Sequence, residues 1–316
     1  MNKSSKKLKI IFMGTPDFAV PALTALSTNN YNVVLVVTQP DRPKGRGRRL
    51  APPPVKETAL KSGYDIIQPV SIKTREFADT IRKYNPDLFI VVAYGKIIPR
   101  EILEIPKTGA LNIHASLLPK YRGAAPIQWA VINNEEETGV TVMMIDEGLD
   151  TGDILFSSKM KIEPWDTSAT LRDRLASLGA DLIIKTLENI ETSILNRVPQ
   201  DNAKATYAPL LKKSDGHIDW KKSAEMIEAF IRGMTPWPGA FTFHESKRIK
   251  IYRAEPIQSD AEEVPGTVLK SFPDELRIAT GDGVLLIQEI QGTSGKRLLI
   301  KDFIRGYKIK PGAILS

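Results

Sequence analysis

Asp87-Leu-Phe-Ile-Val-Val-Ala93 is an unbroken apolar run behind a single carboxylate. A strand with one wet face alternates apolar and polar residues, whereas a strand of a parallel sheet covered on both faces is apolar throughout. Leu8-Lys-Ile-Ile-Phe-Met13, unbroken after Lys9, and Val33-Val-Leu-Val-Val37 have the same character, and Asp65-Ile-Ile67 is a shorter piece of it. Between these runs the spacing predicts helices over 18–26, with Pro16 and Asp17 at the start, over 56–61 and over 74–84. Strand and helix alternate, so the first part of the chain is expected to form a Rossmann-like, open, mostly parallel α/β sheet.

Further along, 109–114 is a short apolar piece that breaks into a Ser/Pro/Gly turn. A helix is predicted over 125–132 with Pro126 near its start, strands over 139–145 and 154–162 (the latter alternating, as an edge strand does), and a long amphipathic helix over 170–190. The pattern changes after about residue 194. Residues 199–209 are polar and turn-rich. Beyond them a helix over 224–232 precedes short alternating strands at 240–243, 249–252, 266–269, 276–279 and 284–287, with Gly281-Asp-Gly283 as a hairpin signal. The expectation is a catalytic domain over 1–193, a linker over 194–210, and a smaller C-terminal, OB-like β-barrel over 211–316.

A length of 316 residues suits about two domains. With no cysteine, disulfides, thiolate metal sites and cysteine nucleophiles are excluded. The charged start, Met1-Asn-Lys-Ser-Ser-Lys-Lys-Leu-Lys9, is followed by an apolar run too short for a signal peptide, and nothing approaches the roughly 18 apolar residues of a membrane span. The chain is expected to be soluble, cytoplasmic and free of membrane contact. Its formal charge of +7 weakly favours polyanionic partners. Distribution says more. Positive charge gathers in Arg42-Pro-Lys-Gly-Arg-Gly-Arg-Arg49 and again over 296–310.

One further segment carries chemistry. Ala110-Leu-Asn-Ile-His-Ala-Ser-Leu-Leu-Pro-Lys-Tyr-Arg-Gly123, followed by Asp146-Glu-Gly-Leu-Asp-Thr-Gly-Asp153, sets Asn112, His114 and Asp150 on turn-rich sequence behind apolar strands. Ligands of open parallel sheets bind beyond the carboxyl ends of strands, where loop residues converge. An amide donor, a titratable ring and a carboxylate to orient the ring suit acyl transfer through an oxyanion. No serine occupies a Gly-x-Ser-x-Gly elbow, which favours direct transfer over a covalent enzyme intermediate. Composition and spacing leave the bland alternative open: a histidine after a strand is often structural, and Asn and Asp in turns often bond their own backbone. Neither His217 nor His244 lies in a ligand-spaced cluster, so no metal is expected and both are placed at the surface. Met13-Gly-Thr-Pro-Asp-Phe18 lacks the later glycines of a dinucleotide fingerprint, which disfavours a dehydrogenase.

Asn112-Ile-His114, Ser116-Leu-Leu-Pro119, Gly123 and Asp150 resemble the signature of the folate-dependent formyltransferases. Ile11-Phe-Met-Gly-Thr-Pro-Asp-Phe18, the basic stretch Thr38-Gln-Pro-Asp-Arg-Pro-Lys-Gly-Arg-Gly-Arg-Arg-Leu50 and the basic, β-rich C-terminal half resemble its tRNA-directed members, so that the likeness spans nearly the whole chain. The resemblance implies transfer of a formyl group from 10-formyltetrahydrofolate to the α-amine of methionine on initiator methionyl-tRNA, by direct attack through a tetrahedral oxyanion. It implies Asn112, His114 and Asp150 as catalytic residues. Ser116, Leu117, Leu118 and Pro119 would border the folate, and the stretch holding Gly95, Lys96, Ile97 and Ile98 would give backbone contacts to the pterin.

The cationic loop suits phosphate oxygens and exposed base edges. Arg42, Lys44, Arg46, Arg48 and Arg49 are its candidate tRNA contacts, with Arg42 foremost because Asp41 and Pro43 fix its direction. Lys296, Arg297, Lys301, Arg305 and Lys308, with Lys310, are candidates in the second domain; Trp220, Trp237 and Tyr252 could stack bases, although a buried core place is expected for each. A charge run is also often only a solvated loop. The protein is expected to be a monomer. Three other readings stand beside the main one: a formyltransferase for a nucleotide-linked amino sugar, a non-catalytic tRNA- or folate-binding protein, and a hydrolase releasing formate.

Overall fold

The computed structural model describes residues 8–44, 49–192, 196–259, 262–269, 274–293 and 295–316; side-chain detail of Lys44 lies outside it, as do Arg46 and Arg48 altogether. The chain forms two compact units, one of Met1–Gly123, Thr138–Met160 and Arg172–Tyr207, the other of Ala124–Glu137, Lys161–Leu171 and Ala208–Ser316.

Among the described residues, nine strands fall in the first part of the chain: β1 (Ile10–Gly14), β2 (Val33–Val37), β3 (Arg42–Lys44), β4 (Arg49–Ala51), β5 (Ile66–Ile67), β6 (Leu88–Val92), β7 (Gly109–His114), β8 (Glu137–Met144) and β9 (Ile154–Lys161). The helices among them are α1 (Val20–Thr28), α2 (Pro54–Lys61), α3 (Arg75–Lys83), α4 (Arg100–Leu103), α5 (Pro126–Ile132) and α6 (Ser168–Glu191). Seven strands make one sheet in the order β5-β2-β1-β6-β7-β8-β9. Every residue of β1 and β6 is buried, as their unbroken apolar character requires. Pairing is parallel from β5 through β7 and turns antiparallel at β7–β8.

Strand order reverses between β1 and β6, and the crevice beyond their carboxyl ends is the place where such sheets take ligands. Gly14 ends β1 there. A Cβ on it would stand 2.8 Å from the Phe12 ring, 2.9 Å from Ala19 Cβ and 3.1 Å from the Val92 carbonyl, so the chain turns off the sheet only with glycine. Local signals set the helix ends: Thr74 accepts from the Phe77 N–H at 3.2 Å at the start of α3, and Pro126 opens α5. Of the stretch expected as a loop at 42–49, the described ends are paired as a ribbon, β3 antiparallel with β4.

The second unit contains α7 (Ala224–Met234), β10 (Ala240–His244), β11 (Lys247–Ile257), β12 (Leu276–Ala279), β13 (Val284–Gln291), β14 (Arg297–Leu299) and α8 (Ile300–Gly306). Its antiparallel sheet runs β10-β11-β13-β12, with β14 on β13. The strand expected over 266–269 is reduced to single bridges at Thr267 and Val268. Core residues include Trp220, Ile227, Ile251, Leu285, Ile287 and Phe303. Two expectations change here. His244 is buried at 6% exposure, because alternation along β10 turns it inward with Ala240 and Thr242, and its Nδ1 lies 2.9 Å from Tyr307 Oη. Trp237, expected in the core, is 48% exposed between the prolines of a turn. Tyr252 is half-buried. Among the described residues no helix is long and apolar enough to cross a membrane.

Candidate active site

Residues two apart on a strand share a face, so Asn112 and His114 leave β7 on the same side. The expected approach of Asp150 needs a correction. β8 runs antiparallel to β7 and ends level with Leu111, not beyond His114. The loop reaches the pair by doubling back: the Ile145 N–H donates to the Ala110 carbonyl at 2.8 Å, and the Met144 N–H to the Asp153 carbonyl at 2.9 Å. Gly152 permits the closure, since a Cβ there would lie 1.9 Å from the Met144 carbonyl oxygen. Asp150 sits at the turn with φ +55°, a left-handed conformation that Asp tolerates better than most residues.

The three side chains meet. Asp150 Oδ2 accepts from the Gly123 N–H at 2.8 Å and lies 3.6 Å from His114 Nδ1. Its Oδ1 lies 3.4 Å from Asn112 Nδ2, a long contact that leaves the amide free to aim a hydrogen elsewhere. His114 Nε2 lies 2.9 Å from the Tyr121 carbonyl oxygen, and a carbonyl only accepts, so Nε2 carries a proton. The Asp150 carboxylate, 3.6 Å from Nδ1, is beyond direct hydrogen-bond reach and faces that nitrogen as a nearby negative charge. The imidazole is 5% exposed. What the sequence brought together as a motif is thus one constellation in space.

The neighbouring expected residues divide. Ser116 is buried and spends its hydroxyl on the Lys120 carbonyl at 2.6 Å, while Thr141 Oγ1 donates to the Ser116 carbonyl at 2.7 Å; together they fix the turn through Leu117, Leu118 and Pro119. Ile97 is 83% exposed, whereas Tyr94 and Ile98 are buried on either side of it. Burial pushes the Tyr94 hydroxyl up to about 12, so it stays neutral beneath this loop. Lys96 turns away to the Pro69 and Val70 carbonyls at 3.2 and 2.6 Å. Among the described residues the N–H groups of Gly95, Lys96 and Ile97 hold no backbone partner. An apolar side chain beside free N–H donors is a fitting edge for a flat heterocycle that carries acceptors.

Arg42 is exposed, and its Nη2 donates to Gln39 Oε1 at 3.3 Å. Asp41 anchors the ribbon through Lys56 at 2.9 Å and Gln68 at 2.6 Å. Those bonds, Gln68 first and Lys56 next, hold its carboxyl below the ordinary value. Arg49 is exposed and has no ion-pair partner among the described residues. In the second unit Lys296, Lys301, Lys308 and Lys310 are exposed. Arg305 reaches Asp302 at 3.7 Å. Arg297 is bonded to Glu289 and lies 4.6 Å over the Tyr252 ring. It lines a cleft of about 1180 Å³ with Glu228, Arg232 and Arg253, where Glu228 and Arg232 pair at 2.7 Å. That cleft contains none of the Asn112, His114 and Asp150 chemistry, and its size does not make it the reactive site. No three His, Asp or Glu side chains are placed to hold a metal among the described residues.

The sequence pattern of the formyl transferase family matches residues 6–187, and that of the formyl transferase C-terminal domain matches residues 210–308. A methionyl-tRNA formyltransferase of Acetivibrio thermocellus is 47% identical over 310 residues, covering 98% of this chain and 100% of that one. The chain belongs to the methionyl-tRNA formyltransferase family. Another methionyl-tRNA formyltransferase, from Desulfotalea psychrophila, is 48% identical over 316 residues, covering 100% of this chain and 98% of that one. In fold the family member also resembles an N-formyltransferase from Helicobacter canadensis, solved with folinic acid and dTDP-3-aminofucose: TM-score 0.66 at 23% identity, covering 89% of this chain and 98% of that one.

Sequence reasoning missed two residues of this site, Arg122 and Gln200. Arg122 is 2% exposed, and its guanidinium donates to Gln200 Oε1 at 3.1 and 2.8 Å and to Asn202 Oδ1 at 2.8 Å. The available signal was the place of Arg122 inside the motif, one residue before Gly123; its burial is visible only in the structure.

Proposed function

We propose that the chain transfers the formyl group of 10-formyltetrahydrofolate to the α-amine of methionine on initiator methionyl-tRNA, acting as a cytoplasmic monomer, with Asn112, His114 and Asp150 performing the chemistry. The observation that carries this reading is the convergence of those three side chains: the carboxylate 3.6 Å from one ring nitrogen, the amide 3.4 Å from the same carboxylate. The family membership and the relatives' activity support the reaction class. The folate supplies a one-carbon carbonyl on a nitrogen that can leave.

Asn112 offers an amide N–H to the carbonyl oxygen as it gains charge. His114 presents Nδ1 to the gap beside Asp150, from which a proton on that nitrogen can be donated to the same oxygen, with the Asp150 carboxylate placed to balance the positive ring that results. The buried setting makes each such interaction worth more than it would be in water. The incoming amine sheds one proton and the departing nitrogen takes one up, a relay that His114 or water between the groups can carry. The exposed Ile97 and the free N–H groups around it support a folate edge at the loop holding Gly95, Lys96, Ile97 and Ile98, with the turn from Ser116 through Leu117 and Leu118 to Pro119 bordering it. Arg42, Lys44, Arg46, Arg48 and Arg49 are proposed to receive the acceptor end of the tRNA. Lys296, Arg297, Lys301, Arg305 and Lys308 are proposed for its body, on a sheet read as an OB-like platform.

The test is one assay with labelled formyl donor, a charged initiator and a charged elongator tRNA, with and without His114→Ala. Label should enter the initiator far faster, and His114→Ala should lower that rate by about 10²–10⁴-fold. Formate released without acceptor would make the chain a hydrolase. Faster labelling of a nucleotide-linked amino sugar would move it to that acceptor class. Binding of both ligands with no transfer would leave a non-catalytic protein.

A further inference from the structure

The segment after α6, polar and turn-rich in sequence, carries a side chain that touches the back of the reactive loop. Gln200 Nε2 donates to the Asp150 carbonyl at 2.9 Å and to the Gly152 carbonyl at 2.8 Å. Its Oε1 accepts twice from Arg122, at 3.1 and 2.8 Å. The amide can sit only one way round. Two carbonyl oxygens face one end and can only accept; a guanidinium faces the other and can only donate. The backbone is thereby pinned at Asp150 itself and again two residues on at Gly152, and Asp150 is held at φ +55°, a conformation costing of order 1 kcal/mol that surrounding contacts must maintain.

Arg122 makes the arrangement unusual. The residue is 2% exposed, and its guanidinium donates to the amide oxygens of Gln200 and Asn202. A buried cation held by neutral oxygens is costly, and replacing Gln200 by Glu would relieve that cost. The protein keeps an amide here. An amide can donate to the Asp150 loop; a carboxylate cannot.

We propose that Gln200, fixed by Arg122, is a positioning residue for formyl transfer: it holds the 150–152 backbone so that the Asp150 carboxylate stays within reach of His114 and Asn112. The inference rests on the reading of Asp150 as part of the reactive site. Its distinguishing consequence is that stability and turnover separate. Glu at 200 gives Arg122 an ionic partner, yet sets a carboxylate oxygen against two carbonyl oxygens and displaces the loop. Displacement of a reacting group by about 1 Å can cost on the order of 10²-fold in rate.

The experiment is a cycle on the full chain: wild type, Gln200→Glu, Asp150→Asn and the double variant, with kcat, both KM values and Tm measured for each. Gln200→Met, similar in length and uncharged, runs in the same cycle in case the Glu variant does not fold. Gln200→Glu should lower kcat roughly 10- to 100-fold. The folate and tRNA KM values should stay within about threefold and Tm should not fall. In the Asp150→Asn background the same change should have little further effect, because the two residues act through one group. A kcat within twofold of wild type for both Gln200 variants overturns the proposal, as does a loss fully additive with Asp150→Asn, or one that tracks a fall in Tm. Should Asp150→Asn itself leave transfer intact, the reading of the site fails first; if it impairs transfer and the Gln200 variants do not, the clamp alone is wrong.

Discussion

The Asp150 loop and the Arg42 ribbon, each proposed a part in one reaction, are built in opposite physical ways. The loop is closed on itself. Its carboxylate accepts from the Gly123 N–H, its backbone carbonyls accept from Gln200, and Gly152 packs where no larger residue fits. The ribbon is held at its root, by Asp41 with Lys56 and Gln68 and by Gln39 with Arg42, while beyond that root Arg49 stays exposed. Groups that act on a developing charge gain from being fixed beforehand, since nothing then reorganises during the reaction. Groups that meet a polyanion can be ordered by the partner, at an entropic cost drawn from binding. The contrast predicts that damage to the loop appears in kcat and damage to the ribbon in KM.

Between the loop and the ribbon, the largest effect should come from Asp150→Asn. The amide keeps the shape but loses the charge opposite His114. Turnover is expected to fall about 10²–10³-fold with the folate KM nearly unchanged, measured at saturating tRNA. Equal losses in turnover and folate binding would indicate a collapsed pocket and break the contrast. Arg42→Ala should come next, raising the tRNA KM by about 10-fold or more, as for loss of one guanidinium contact to nucleic acid, with kcat little altered. A fall in kcat alone would mean that the ribbon belongs to the chemistry. Arg49→Ala should act more weakly, lowering the slope of log affinity against log salt by about 0.9 if it neutralises one phosphate. An unchanged slope with weakened binding would point to a base contact instead.

Much of this architecture was readable from residue order. Unbroken apolar runs announced β1, β2 and β6, and the alternation of runs with helical spacing announced the parallel sheet. The direction of β8 was not readable, because a strand-forming stretch such as Val140-Thr-Val-Met143 has no arrow in it; the reversal appears only in its register with β7. Asn112, His114 and Asp150 stood out as a motif, whereas Gln200 did not. Its partners lie 50 and 78 residues away, and a polar residue among turn-formers gives no hint of long-range hydrogen bonds. Positive charge drew attention over 296–310 and hid α8, although Ile300, Phe303 and Ile304 carry helical spacing there. His244 was misplaced because its inward side follows from the phase of β10, set by Ala240 and Thr242.

The smallest expected effect tests the ribbon's root. Asp41 is held below its ordinary value by Gln68 and Lys56, so the contribution of the carboxylate to the native structure is fully present above the ordinary value and is lost as pH falls through the lowered one. Between pH 8 and pH 5 the group stays ionised in either state, taking roughly 3.9 as the value in an open chain. Amide exchange at the Asp41 end of β3 and the Ala51 end of β4, corrected for the intrinsic rate, should therefore be flat across that window and rise only in stronger acid. Asp41→Asn should raise the exchange at neutral pH and remove the acid dependence, with the tRNA KM rising a few-fold at most, since surface pairs contribute little. If the same substitution lowered kcat at saturating tRNA, the root would be shaping the reactive loop as well, and the division between a fixed site and a partner-ordered ribbon would not hold.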